Sequence, residues 1–519
     1  MFRIICALLL LAASAHAETV LHRGNRYEPA TLDPQKTNTQ YESVVIFDLF
    51  EGLLTPDAQG HPALGVADSW QVSADGTRYT FHLRPGLTWS DGTALDATAV
   101  VASFRRLMAP KTAAHYAQLM YVLKNGRAVN TGAAPVESLG VTALDAATVQ
   151  IDLEAATAYF PELLANSFAV IVPAAIAAND NWTQPGNIVS NGPFTLEAWN
   201  REDRIVLARN PRFHDAAGVK LDKVFLYPIA DPNTALARFK SGEFDINMDF
   251  PASQADRLRI EMPKEALIDP ALITYYLAFN TVKPKFADRN VRRALSLAID
   301  REAITGKVLR RGEQPAFSFV PPPTANYKPA PVDFAAWPVE RRLAEAQKLL
   351  AAAGYGPDKP LRFALNYTTN QDYRRMAVVL AAMWKRVGVE VTLQNFEGKV
   401  HFANLRQGDY EMGLLAWVAD VNDAGNFLYI LQSSTVGSNY SRYRNPAFDA
   451  LMDKAAVTTD LVARAGVLRE AEAIAMADQP IAPLYFAVNR NLVRARVKGW
   501  LQNPTDVHPS RYLSVEAPP

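Results

Sequence analysis

The sequence predicts a mixed α/β protein of two or three domains, and three observations carry that reading. Its 519 residues are more than one hydrophobic core organises. Strand-like alternation and helix-period runs occur in both halves of the chain. One stretch, residues 361–393, reads as a complete strand–helix–strand unit.

From Thr19 to about Trp89 the pattern is strand-like. Tyr79-Thr80-Phe81-His82-Leu83 alternates, Arg84-Pro85-Gly86 turns the chain, and Leu87-Thr88-Trp89 follows. After the turn Ser90-Asp91-Gly92, Asp96 can cap a helix running from near Ala97 to about Met108. Thr148 to Leu153 alternates again, with Val149, Ile151 and Leu153 on one face. The apolar and aromatic neighbours of Val320-Pro321-Pro322-Pro323 mark it as a rigid crossing segment. A helix is expected from about Val339 to Ala353, with Pro338 at its start and Gly354 at its end. Leu361 to Tyr367 is a strand, and Thr368 to Asp372 a polar loop. Met376, Val379, Leu380, Met383, Trp384 and Val387 then recur at helical spacing up to Gly388. Val389 to Leu393 completes a βαβ unit, whose strands should be parallel, with the first loop at the carboxyl end of the sheet, where ligands of open α/β sheets gather.

Ahead of these elements lies an export signal. Arg3 supplies a positive start, Ile4 through Ala13 a short apolar stretch, and Ala15-His16-Ala17 a small-x-small cleavage site. That apolar run is too short to stay in a bilayer, and no later stretch approaches the ~18 residues of a span. Cys6, the only cysteine, lies inside the signal and not at the cleavage point. The expected product is a soluble periplasmic protein cleaved after Ala17, with no lipid anchor and no disulfide.

Lys+Arg and Asp+Glu both total 53; losing Arg3 with the signal leaves 52 minus 53, a net of −1. Such a balance excludes nucleic acid or an anionic membrane as a bulk electrostatic partner. The eight histidines form no HExxH or other short-range ligand pair. GxSxG and GxxxxGK[ST] are absent as well. No catalytic residue, metal or cofactor is expected, although a triad assembled in space would leave no such trace.

Several stretches resemble the peptide-binding branch of the family 5 solute-binding proteins. They are Thr31-Leu32-Asp33-Pro34, Phe50-Glu51-Gly52-Leu53, Ala67-Asp68-Ser69-Trp70, Tyr79 through Trp89, and Ser190-Asn191-Gly192-Pro193-Phe194 with Asn210-Pro211. Later come Phe279-Asn280, Val291 through Leu295, Ile299-Asp300-Arg301, Trp417-Val418-Ala419-Asp420 and Asn445 through Asp449. The resemblance implies a type II, cluster C-like periplasmic binding protein with two lobes, three domains and a hinged ligand cleft. One lobe would combine residues 18–55, 186–280 and 489–519 with an inserted domain at 56–185, and 281–488 would form the other. Such a receptor, expected as a monomer, closes on a peptide and docks on the membrane permease of an ABC importer.

It also implies site residues. Asp420 matches the aspartate that binds a peptide's α-ammonium; read from the residues alone, a turn aspartate bonded to nearby backbone N–H groups is the commoner fate in such a loop. Trp417 would line the same site or a core. Tyr116 and Tyr275 or Tyr276 match aromatic cleft positions, though each also reads as packing, and Tyr485 suits the hinge or the cleft. The chain departs from the family at the carboxylate end. Leu405 and Leu414 stand where many members carry arginines, and Arg406 is the nearby cation, or else a solvated loop charge. Tyr373 replaces a histidine of general oligopeptide binders, and Asn38 an acid. These departures point to a narrower ligand, such as a murein peptide, or to a carboxylate held by Lys307, Arg310 or Arg311. A non-peptide ligand (opine, sugar, metal complex or haem) and a secreted hydrolase are the competing readings.

Overall fold

The computed structural model describes residues 18–435 and 437–516. Arg3, Cys6 and the Ala15-His16-Ala17 cleavage site lie outside the described residues. An 11-stranded sheet ties the two ends of the molecule together. Along its path Val389–Phe396, Leu361–Thr368, Met412–Val418, Ala266–Phe279, Ile481–Val493, Ile246–Met248, Val20–Gly24, Lys223–Tyr227, Arg204–Arg209 and Phe194–Asn200 are successive neighbours. A separate four-stranded sheet holds Ala67–Val72, Arg78–Leu83, Thr148–Asp152 and Val141–Ala143 in that spatial order.

Two long antiparallel strands, Ala266–Phe279 and Ile481–Val493, connect the lobes. Ala266 to Pro270 pair with Leu492 to Val488, and Thr274 to Ala278 pair with Phe486 to Ile481. Between Pro270 and Thr274 the register breaks. On one side of that break Ala266 and Leu492 belong to one hydrophobic core, and on the other Leu277, Phe279, Ala482 and Leu484 belong to another. Proline donates no ladder hydrogen bond and a bulge weakens pairing, so the sheet is most easily bent where it passes between lobes.

Local signals explain several elements. The Asp96 carboxylate accepts from the N–H groups of Thr98 and Ala99 at 2.9 and 3.0 Å and starts the helix Ala97–Met108. Leu361–Thr368 and Val389–Phe396 pair in parallel around the helix Gln371–Lys385, whose first N–H groups are capped by Asn370. Met376, Leu380 and Trp384 of that helix are buried in the second-lobe core, and Trp384 donates to the Leu295 carbonyl at 2.9 Å.

The strand-like reading of residues 19–89 needs correction in two places. Gln40–Leu49 is a helix, and Leu87-Thr88-Trp89 makes only an isolated bridge from Thr88 to Ala94. Val44-Val45-Ile46-Phe47 is buried on nearly every side, which erases the helical period. The start of that helix is fixed by Glu42, whose carboxylate accepts from the N–H groups of Asn38 and Thr39 at 3.1 and 3.2 Å and from the Thr39 hydroxyl at 2.7 Å.

The same helix is stitched to both chain ends. Arg23, 1% exposed, donates to the His508 carbonyl and the Ser510 hydroxyl at 3.0 and 2.8 Å. Asp48 accepts from the Ser510 N–H and hydroxyl at 2.8 and 2.7 Å. Burial pushes the Asp48 carboxyl up to about 6, against the pull of Arg23 and Ser510.

Candidate ligand site between the lobes

The cleft between the lobes holds a cavity of about 400 Å³. Its first wall comes from the start of the helix Gln40–Leu49 (Asn38, Thr39, Gln40, Ser43), with Tyr116, Glu162 and Asn166. The second wall is the broken stretch Ala271-Leu272-Ile273 and the loop that follows the strand Met412–Val418.

Asp420 sits in that loop because the strand ends against its neighbour. Val418 still pairs with Ile273, Ala419 donates to the Leu272 carbonyl at 3.0 Å, and the chain then turns away. The Asn426 side-chain oxygen accepts from the Asp420 N–H at 3.1 Å and from the Trp417 indole at 3.3 Å, fixing the turn. From the first lobe, the Asn166 amide donates to the Asp420 carbonyl at 3.3 Å. These bonds use the backbone of Asp420; its carboxylate, on the cavity wall, is hydrogen-bonded to the Asn426 side chain. Burial raises the carboxyl above its ordinary value, opposed only by Asn426, and it has no ion-pair partner among the described residues. A half-buried carboxylate without a cation is costly and invites one from the ligand.

Tyr116 and Asn38 share this cavity with Asp420. The Tyr116 hydroxyl donates to the Asn38 carbonyl at 3.3 Å, and its ring lies 5.4 Å from that of Phe168. The other candidates lie elsewhere. Tyr275 stacks on Tyr485 at 4.5 Å and meets Tyr373 at 5.8 Å, forming an aromatic cluster of the second lobe. Trp417 is half-buried and packs edge-to-face on Tyr429 at 5.5 Å, outside the cavity wall.

Two residues must be corrected. Tyr276 is 2% exposed and packs against Phe319 at 5.1 Å, because adjacent strand residues face opposite sides and Tyr275 takes the open one. Arg406 is exposed at the end of the helix Gly398–Gln407, beside Tyr440, and does not reach the cavity. Leu405 and Leu414, where arginines were expected, are core residues.

The alternative cations are also placed. Arg311 forms a bidentate pair with Asp372 at 2.9 and 2.6 Å, and Arg310 is bound to Asp256 at 2.7 Å across the lobes. Lys307 is exposed. The cavity wall carries two acids, Asp420 and Glu162, and no Lys, Arg or His among the described residues. Glu162, Asn166 and Asn426 went unnoticed in the sequence, where no motif marks them; only folding brings them to Asp420.

No group of His, Cys, Asp and Glu among the described residues could hold a metal ion, and no helix among them is long and apolar enough to cross a membrane. Comparison with known proteins supplies the remaining evidence. Residues 61–439 match the family described as bacterial extracellular solute-binding proteins, family 5 Middle. The chain is 38% identical to the periplasmic murein peptide-binding protein MppA of Escherichia coli, covering 98% of each. It is 38% identical to the periplasmic oligopeptide-binding protein OppA of the same species, over 94% of this chain and 90% of that one. Against the probable deoxycholate-binding periplasmic protein YgiS of E. coli the identity is 35%, over 99% and 98%. The structure is similar to the unliganded open form of MppA with a TM-score of 0.88, covering 96% of this chain and 98% of that one. The chain therefore belongs to the family 5 extracellular solute-binding proteins and has their two-lobed type II periplasmic binding fold.

Proposed function

We propose that this protein is a periplasmic receptor that closes on a peptide with a free α-amine and delivers it to the permease of an ABC importer. The observation that carries this reading is Asp420, on the wall of the inter-lobe cavity, whose carboxylate has no ion-pair partner among the described residues. An α-ammonium there would pair the charge and leave no ion unsatisfied on closure. A second feature supplies the grip on the peptide main chain. Leu415 to Val418 have ladder partners only on the side of Ala266–Phe279, since the strand Leu361–Thr368 reaches only Met412 and Gly413. That free edge can accept an added strand beside Asp420, binding backbone groups whatever the side chains.

Murein peptides and oligopeptides are named as ligands of two relatives of 38% identity, and the missing arginines favour the narrower of these classes. An anionic amphipath such as deoxycholate fits less well, because two acids and no cation face the cavity. The same reading includes export with cleavage after Ala17, no lipid anchor, a monomeric receptor, binding without catalysis, and domains at 18–55 with 186–280 and 489–519, 56–185 and 281–488. Core packing departs from this partition in three places: residues 170–182 pack on the discontinuous core, Val421 reaches into that of the inserted domain, and residues 272–279 pack into the core of the second lobe. Mass spectrometry of ligand released from the purified protein by mild denaturation tests the function. A peptide mass supports it, while a sugar, steroid or metal complex sinks it, and accumulation of cleaved peptide on incubation would make the protein a hydrolase.

A further inference from the structure

Glu162 is the cleft's second carboxylate, and peptide anchoring at Asp420 leaves it unexplained. It follows Pro161 in the short helix Phe160–Leu164 and lies where two cavities meet. One is the 400 Å³ cavity of Asp420; the other, of about 490 Å³, adjoins it through Glu162 and Asn422. The Glu162 carboxylate makes no hydrogen bond and no ion pair among the described residues.

The basic groups on the wall of the second cavity are engaged elsewhere: the His61 ring lies 3.9 Å from the Asp57 carboxylate. Arg464, on the wall of the second cavity, is held by both carboxylate oxygens of Asp423 and donates through Nε to the Ala455 carbonyl at 3.1 Å. Asp423 and Asp57 bear on Glu162 with like charge. Burial, reinforced by these two acids, pushes its carboxyl up to about 8. Such a group is largely protonated near neutral pH and ionises when a cation arrives. Tyr159, Tyr327 and Trp70 line the second cavity, giving apolar walls for the stem of a long side chain. Four residues after Glu162, Asn166 donates to the Asp420 carbonyl, so one bound molecule can meet both carboxylates.

Building on the peptide-receptor reading, we propose that Glu162 is a second cation acceptor, selecting peptides that carry an ammonium or guanidinium side chain besides the α-amine. Asp420 fixes the end of the peptide, and Glu162 reads a basic side chain directed toward the second cavity.

The test compares tripeptides on a trialanine scaffold carrying lysine or norleucine at each position in turn, by titration calorimetry at pH 7.5. At one position lysine should bind about tenfold tighter than norleucine, and in Glu162→Gln that ratio should fall toward one. A lysine preference at no position, or one that survives in E162Q, overturns the proposal. Binding of the norleucine peptide certifies that E162Q is folded. A second measurement needs no variant: in buffers of different ionisation enthalpy, the lysine peptide should release a fraction of a proton that the norleucine peptide does not, and equal proton counts count against Glu162. If no tripeptide binds, trialanine included, the peptide reading fails by itself. Titration with 1,5-diaminopentane then decides the acceptor: binding that E162Q loses upholds it, and absence of binding removes it.

Discussion

Replacing Asp420 by Asn changes one charge and little else. The bonds that hold its turn, from its own N–H to Asn426 and from Asn166 to its carbonyl, run through the backbone and survive the substitution. What the proposed receptor loses is the partner of the peptide's α-ammonium. Leaving one member of a buried charge pair unpaired costs about 3–5 kcal/mol. Asp420 keeps some exposure in the open cleft, so solvent screening lowers this to about 2–4 kcal/mol. The dissociation constant of a free-amine peptide should rise roughly 30- to several-hundred-fold. N-acetyl-trialanine, which has no ammonium, should lose less than about threefold on the same substitution. Titration calorimetry of wild type and D420N with trialanine and its acetylated form measures all four constants. Equal losses for the two peptides would refute an ammonium contact at Asp420 and leave it a turn-forming residue.

Further expectations follow from buried groups. Arg23→Met strands the Asp48 carboxyl and should cost about 3 kcal/mol in urea denaturation at pH 7.5. The folded-state pKa of Asp48 is raised, so its contribution favours folding at low pH and is lost as pH rises through about 6. The R23M deficit should therefore shrink at pH 5, and a loss under about 1 kcal/mol at pH 7.5 would contradict the stitch between chain ends. Tyr276→Ala empties a core site and should cost about 3–5 kcal/mol, while the folded protein's trialanine affinity moves less than about threefold; a larger affinity change would return Tyr276 to the ligand site. Glu162 in the folded protein keeps a proton that the unfolded chain releases near its ordinary value of 4.5. Wild-type stability should thus fall relative to E162Q as pH rises from about 4.5 to about 8, by up to about 1 kcal/mol per pH unit. Parallel urea curves for the two proteins across that range would show that Glu162 titrates normally.

Much of the fold was legible because its signals are local. Asp96 caps its helix by bonding to N–H groups two and three residues ahead, so sequence distance equals spatial distance. The βαβ unit was readable because one face of Gln371–Lys385 is buried, giving the 3.6-residue period. Where burial is all-round, the period vanishes, and Gln40–Leu49 passed for strand.

The sequence by itself determined the alternating elements, the Asp96 cap, the near-neutral charge and the family likeness that singled out Asp420. Tertiary structure decided which side chains line the cavity and which are buried in a core. Tyr275 and Tyr276 are indistinguishable by composition, yet pleating sends one to the open face and the other to the core. Arg406 was near in sequence to the expected carboxylate site, but its helix directs it to solvent. Glu162 and Asn166 stand over 250 residues from Asp420 and meet it only because the lobes fold against each other. Whether a carboxylate is paired depends on distances no sequence spacing encodes, and on the wall of this cavity Asp420 and Glu162 have no ion-pair partner among the described residues.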